Sequence, residues 1–247
     1  SIENPRAYLE SNINGTFELL EAARKFPPEH MLLASTSSAY GANDDMPYKE
    51  TVKADHQMSF YAATKKATEN MAHSYSHLFE LPITMFRFFT VYGEWGRPDM
   101  ALFRFTEAIL EDSLIDVYNQ GNMSRDFTYI DDLVQAVTLL INTAPNICNI
   151  TNGVDDSVSP VANFRIVNIG NSQPTRLMEF ISAIEKALGK KAKINYMKMQ
   201  AGDVKATWAD SSLLQNLTGY KPNTHIEIGV GKFIEWYHEY MLIGKDR

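Results

Sequence analysis

The sequence predicts an α/β fold in which a parallel sheet is covered by helices. Segments with a helical apolar period alternate with short apolar runs along most of the chain, and turn residues fall between them. Length agrees, since 247 residues with 45% hydrophobic content bury a sizeable core, as one large domain or two small ones.

The elements follow in order. Asn4-Pro5 reads as a cap followed by proline at the first helical position, and Tyr8, Ile13, Phe17, Leu20 and Ala23 continue one apolar face. A helix is therefore predicted over 5–26, and Pro27-Pro28 ends it. Residues 31–35 form a short apolar strand, and a turn-rich loop over 41–58 leads into a helix at 61–79. Pro82 opens a strand at 83–89, followed by a helix at 101–111, a strand at 115–118 and a helix at 131–142. A polar loop of about twenty residues precedes a strand at 164–169. The chain continues with a helix at 175–188 closed by Gly189, a strand at 192–197, and helices near Ser211 and over 226–241. There is no internal repeat.

Composition narrows the partners. A net charge of -7 without any Lys/Arg-rich run argues against nucleic acid or an anionic membrane. The single cysteine, Cys148, excludes an internal disulfide framework and fits a reducing compartment. No apolar run approaches the roughly 18 residues of a membrane span, and no signal-peptide pattern opens the chain. The expected class is a soluble, cytoplasmic protein. His73 and His77 lie four apart on a predicted helix, but no third ligand at zinc-like spacing accompanies them, so no metal site is expected. Phe233, Trp236, Tyr237 and Tyr240 recur at helical spacing and read as core.

The chemistry centres on Ser59-Phe60-Tyr61-Ala62-Ala63-Thr64-Lys65. Tyr61 and Lys65 share one helix face a turn apart, so an ammonium can sit beside a phenol. A nearby cation favours the phenolate, which suits general acid/base work. The plain alternative is a helix with one aromatic and a solvated lysine. A second element is the hydroxyl row Ser35-Thr36-Ser37-Ser38-Ala39-Tyr40-Gly41, just beyond a strand's carboxyl end, where open α/β sheets bind ligands. Thr36 there is placed to hydrogen-bond a substrate hydroxyl; an ordinary surface loop is the alternative. Further clusters are Arg87-Phe88-Phe89-Thr90-Val91-Tyr92-Gly93, Arg97-Pro98-Asp99-Met100 and the segment 121–132. The last holds Arg125, whose planar fork suits a diphosphate as well as a surface salt bridge.

In this order the clusters resemble the extended short-chain dehydrogenase/reductase superfamily, the NAD-dependent epimerases and dehydratases of nucleotide sugars. Within it the chain is most similar to the UDP-glucuronate 4-epimerases, through Tyr61-Ala62-Ala63-Thr64-Lys65-Lys66-Ala67, residues 89–100 and Ile115-Asp116-Val117-Tyr118-Asn119. The resemblance runs from end to end. It implies a partial doubly wound Rossmann-type sheet (1–92 and 125–170) with a smaller α/β domain for the nucleotide sugar (93–124 and 171–247). It implies C4 epimerisation of UDP-glucuronate to UDP-galacturonate through a 4-keto intermediate, with NAD as cofactor.

The same resemblance assigns roles. Tyr61 becomes the acid/base at the sugar 4-hydroxyl, Lys65 the holder of the nicotinamide ribose and the cation beside Tyr61, and Thr36 the helper at the 4-oxygen. Asn12 and Ser35 fall on the cofactor side. Thr90 stands where related galactose epimerases carry an asparagine, leaving room for a C6 carboxylate, and Ser37 and Arg97 also face the sugar. Tyr118 and Asn119 line the uridine pocket, Arg125 the diphosphate, and Asp203 the uridine ribose. A homodimer through a four-helix bundle is implied as well.

The loop Thr36-Ser37-Ser38 separates neighbouring activities, because related dehydratases carry Thr-Asp-Glu there and UDP-xylose-forming decarboxylases Thr-Ser-Glu. The acid that those reactions use is missing, which leaves a UDP-glucuronate decarboxylase or another epimerase/dehydratase as the alternative enzyme. The resemblance also implies a Gly-x-x-Gly-x-x-Gly loop after a first strand, binding the cofactor pyrophosphate. These 247 residues hold no such loop. The expectation is that about four strands precede Ser1 in a complete enzyme, and that the chain alone presents an open strand edge and does not fold as a stable monomer. A truncated, non-catalytic homologue that binds a nucleotide sugar or a partner chain is the alternative of another class.

Overall fold

The structure, a computed structural model, describes residues 1–149, 156–199 and 204–245. In chain order it contains α1 (Pro5–Tyr8), a π-helical turn (Leu9–Asn14), α2 (Gly15–Lys25), β1 (Met31–Ala34) and a 3-10 turn (Ser37–Tyr40). There follow α3 (Phe60–Phe79), β2 (Ile83–Phe88), β3 (Thr90–Tyr92), α4 (Ala101–Leu110), β4 (Leu114–Val117) and a second 3-10 turn (Tyr118–Gly121). Next come β5 (Ser124–Tyr129), α5 (Ile130–Leu140), a third 3-10 turn (Ile147–Asn149) and β6 (Phe164–Ile169). The chain closes with β7 (Pro174–Arg176), α6 (Leu177–Leu188), β8 (Lys193–Tyr196), β9 (Ala206–Thr207), α7 (Ser212–Thr218) and α8 (Ile226–Lys245).

β1, β2 and β6 form a parallel sheet in the order β1-β2-β6, with Ala34 opposite Phe86 and Ile83 opposite Phe164. Alternation along β2 sorts its side chains between two cores. Ile83 and Met85 pack with Leu20 and Ala23 of α2 and Ala72 of α3, whereas Phe86 packs with Ala136 and Leu140 of α5 and Leu213 and Leu214 of α7. Helices thus cover both faces, the doubly wound arrangement expected from continuous apolar strands.

A second sheet is built on β5, which pairs in parallel with β3 and β9 and antiparallel with β7. Its core combines Tyr92, Phe127 and Tyr129 with Leu102 and Ile109 of α4, Phe180 and Ile184 of α6, and Val230, Phe233 and Tyr237 of α8. Phe127 and Phe180 stack with centroids 4.2 Å apart. β4 and β8 make a separate parallel pair.

Several boundaries depart from the sequence expectation. The helix expected over 5–26 is interrupted by the π turn. The strand expected over 83–89 breaks at Phe89, so that β3 leaves β2 and joins β5. β5 itself was read as a motif rather than a strand, because Arg125 and Asp126 disguise it. Asp126 is fully buried, accepting from the backbone N–H groups of Asn171 (2.7 Å), Ser172 (2.9 Å) and Ala209 (3.0 Å). It ties β5 to the segments after β6 and β9. Gly170 is required there, since a Cβ would come 2.7 Å from the Asp126 carboxylate. Residues 174–176, expected largely as helix, form β7 against β5.

Candidate active site

Ser59 caps α3, its Oγ accepting from the Ala62 N–H at 3.1 Å, and this fixes the first turn that carries Tyr61. Tyr61 and Lys65 are both half-buried. The Lys65 ammonium donates to the Ala34 carbonyl at 2.6 Å, at the carboxyl end of β1. Burial pulls Lys65 below the ordinary range of a lysine, and the charge of Glu69 opposes that shift. Tyr8 meets the Tyr61 ring edge-on, with centroids 5.8 Å apart. Asn12, in the π turn, donates to Thr64 Oγ1 at 2.9 Å, and the Thr64 hydroxyl donates to the Tyr61 carbonyl at 2.8 Å. π turns recur at functional sites because they re-aim one side chain within a helix. Here the turn docks Asn12 beside the tyrosine.

The hydroxyl row lies next to this pair. Thr36 is buried, and its Oγ accepts from the Ser38 N–H at 3.2 Å, starting the 3-10 turn that ends at Gly41. Gly41 has φ 62°, and a Cβ there would run into the His56 carbonyl. Ser37 is half-buried. Ser35, expected at the cofactor, donates its hydroxyl to Glu69 Oε1 at 2.7 Å.

Sequence reasoning missed what lies behind Ser35. Glu69 and Arg87 are fully buried and joined by two bonds of 2.7 Å, with Lys66 adding a third cationic donor at 3.0 Å. Burial pushes the Glu69 carboxyl up, but Arg87, Lys66 and Ser35 outweigh it and hold it below its ordinary value. The Arg87 guanidinium lies 4.4 Å over the Tyr40 ring, and Tyr40 stacks on Tyr48 at the same separation. The available signal was Glu69 one turn after Lys65, with an arginine in an otherwise apolar strand.

The substrate-side residues fall around a cavity of about 560 Å³. Thr90, Tyr118 and Arg125 line it, together with Arg104 and Glu107 of α4, which the sequence reading did not single out. Arg125 donates to the Ser124 carbonyl at 3.0 Å. Thr90 also borders a smaller cavity of about 50 Å³, shared with Arg97. Arg97 is exposed and bonded to Asp99 at 3.0 and 2.5 Å. Those bonds hold it above its ordinary value against burial. Asn119 is not in the cavity wall. It sits in the left-handed region (φ 50°) and donates to the Asn122 carbonyl at 2.9 Å, shaping the turn after Tyr118. Asp203 lies outside the described residues.

His73 and His77 serve as anchors. The His73 ring bonds to Ser159 Oγ at 2.8 Å and the His77 ring to the Val161 carbonyl at 2.6 Å.

Tyr61 and Lys65 lie one helical turn apart at the carboxyl end of the parallel sheet, a pairing suited to proton transfer, and Thr90 lines the cavity. The chain belongs to the NAD dependent epimerase/dehydratase family, whose profile matches residues 1–151. It is 51% identical over 241 residues to a probable UDP-glucuronate 4-epimerase of Rhizobium meliloti, covering 97% of this chain and 71% of that protein. It is 53% identical to the protein CapI of Staphylococcus aureus, covering 97% and 72%. The fold superposes on the crystal structure of UDP-glucuronic acid 4-epimerase from Bacillus cereus in complex with UDP-glucuronic acid and NAD, with a TM-score of 0.82 and 31% identity, over 95% of this chain and 69% of that one.

Proposed function

We propose that the chain carries the catalytic and substrate-binding part of an NAD-dependent UDP-glucuronate 4-epimerase, converting UDP-glucuronate to UDP-galacturonate. The observation that carries this reading is Lys65, held on the Ala34 carbonyl one turn from Tyr61, in a chain half identical to a probable enzyme of that name. The donor set fits the nicotinamide end of the cofactor. A ribose needs a donor at the strand end; Lys65 offers one there, and Tyr61, Asn12 and Ser35 are assigned to the same side. Residues 1–92 and 125–170 are assigned to the dinucleotide side, 93–124 and 171–247 to the nucleotide sugar. A cytoplasmic setting suits the single exposed Cys148.

NAD, when bound, supplies the hydride acceptor and donor at C4 of the sugar. Tyr61 takes the proton of the 4-hydroxyl as the 4-keto sugar forms, and gives it back to the 4-oxygen once C4 is inverted. Lys65, one turn along the helix, is assigned to the nicotinamide ribose. Thr36 offers a hydroxyl to the same oxygen. Arg125 neutralises the diphosphate in the cavity and Tyr118 meets the uridine, so the nucleotide stays gripped while the sugar turns over. Thr90, Ser37 and Arg97 hold the C6 carboxylate. A carboxylate beta to a ketone is prone to leave as carbon dioxide, and the loop Thr36-Ser37-Ser38 offers no acid to assist that loss.

Titration calorimetry tests the carboxylate reading. Arg97→Met is expected to weaken UDP-glucuronate about tenfold or more while leaving UDP-glucose within a factor of two or so. Equal loss for both sugars would remove Arg97 from the carboxylate.

A further inference from the structure

The Ala34-Ser35 peptide is held at three points. Its carbonyl accepts from Lys65 at 2.6 Å, its N–H donates to the Phe86 carbonyl at 2.8 Å, and the Ser35 side chain donates to Glu69 at 2.7 Å. Glu69 in turn is gripped by Arg87, the residue after Phe86. The contacts close a ring from Lys65 through the end of β1, across to β2, through Arg87 to Glu69, and along one turn of α3 back to Lys65. Ser35, Glu69 and Arg87 are buried, whereas Ala34 is exposed and Lys65 half-buried, and a hydrogen bond among the buried groups is expensive to leave unmade. Without the Ser35 hydroxyl, the strand end loses its side-chain tie to Glu69 and keeps only the Phe86 and Lys65 bonds.

We propose that Ser35 is a positioning residue: its hydroxyl, seated on the Glu69–Arg87 pair, fixes the strand end whose carbonyl holds the Lys65 ammonium beside Tyr61. This inference rests on the acid/base role of Tyr61 and Lys65 and gives Ser35 a duty apart from cofactor contact. A residue with a merely structural role would lower stability without changing how Lys65 behaves in the folded protein.

Competitive acetylation of the folded chain with acetic anhydride, read by peptide mass spectrometry, tests it without requiring turnover. In Ser35→Ala the labelling of Lys65 relative to Lys190 is expected to rise about fivefold, the worth of one hydrogen bond, and Ser35→Thr is expected to restore it. In the holoenzyme, Ser35→Ala lowers kcat about tenfold with KM for UDP-glucuronate unchanged. Should the alanine variant not fold, Ser35→Cys keeps the volume with a much weaker donor and gives the same readout. Lys65 labelling that is unchanged in a folded variant overturns the proposal whatever the turnover. Hydroxyl-dependent labelling in a chain that does not epimerise UDP-glucuronate supports the positioning and defeats only the epimerase reading.

Discussion

Tyr61 and Lys65 were legible because a helical spacing of four residues is written in the chain, and the hydroxyl row was legible because it follows a strand end. What the spacing could not show is the service these residues receive. Asn12 is close to Tyr61 only because a π turn rotates it toward Thr64, and Ser35 meets Glu69 only once β1 lies against α3. Asn119 shows the same limit, since a left-handed backbone turns its side chain onto Asn122. At this scale Tyr61→Phe is expected to lower kcat about a thousandfold, within the range of general acid/base contributions, with UDP-sugar affinity retained in calorimetry. Arg125→Met is expected to do the opposite, weakening UDP-sugar binding tenfold to a hundredfold or so. A Tyr61→Phe enzyme with normal turnover would remove the tyrosine from the chemistry.

Elements were legible where they are long and apolar. β6 matches its expected span, and β1, β2, α3 and α5 fall within a few residues of theirs, because their side chains alternate or recur with the right period. β3, β7 and β9 are two or three residues long, and β5 carries a buried aspartate, so pairing between distant segments decides them rather than local pattern. The loop between the first 3-10 turn and α3 is held in the same long-range manner. Glu50 accepts from the Asn168 N–H on β6 at 2.8 Å, while burial, with Asp210 adding to it, pushes its carboxyl up to about 7. The folded chain keeps a proton on Glu50 that the unfolded chain releases above its ordinary 4.5, so stability is full below that value and is lost as pH rises through about 7. Glu50→Gln keeps the acceptor and removes the titration. Denaturant melts at pH 5 and pH 8 are expected to differ less in the variant, by roughly 2 kcal/mol; an unchanged difference would show that Glu50 does not carry the proton.

Across the whole molecule, the buried Glu69–Arg87 pair joins the sheet to the helix that bears the site. Breaking one side leaves the other charge stranded, at a cost of about 3–5 kcal/mol, and Arg87→Ala is expected to lose that much in equilibrium unfolding. The outer faces of α2 and α3 carry exposed apolar side chains: Phe17 at 43%, Leu19 at 55% and Leu78 at 65%. We propose that the homodimer expected from the resemblance, through a four-helix bundle, uses some of these side chains. Phe17→Glu with Leu19→Glu is expected to halve the mass seen by light scattering, and an unchanged mass would place the interface elsewhere. The central claim, that this arrangement inverts C4 of a UDP-hexuronate, is tested most directly by proton NMR of the products formed from UDP-glucuronate with NAD. The expected result is an equilibrium mixture of UDP-glucuronate and UDP-galacturonate; UDP-xylose as the main product would contradict it.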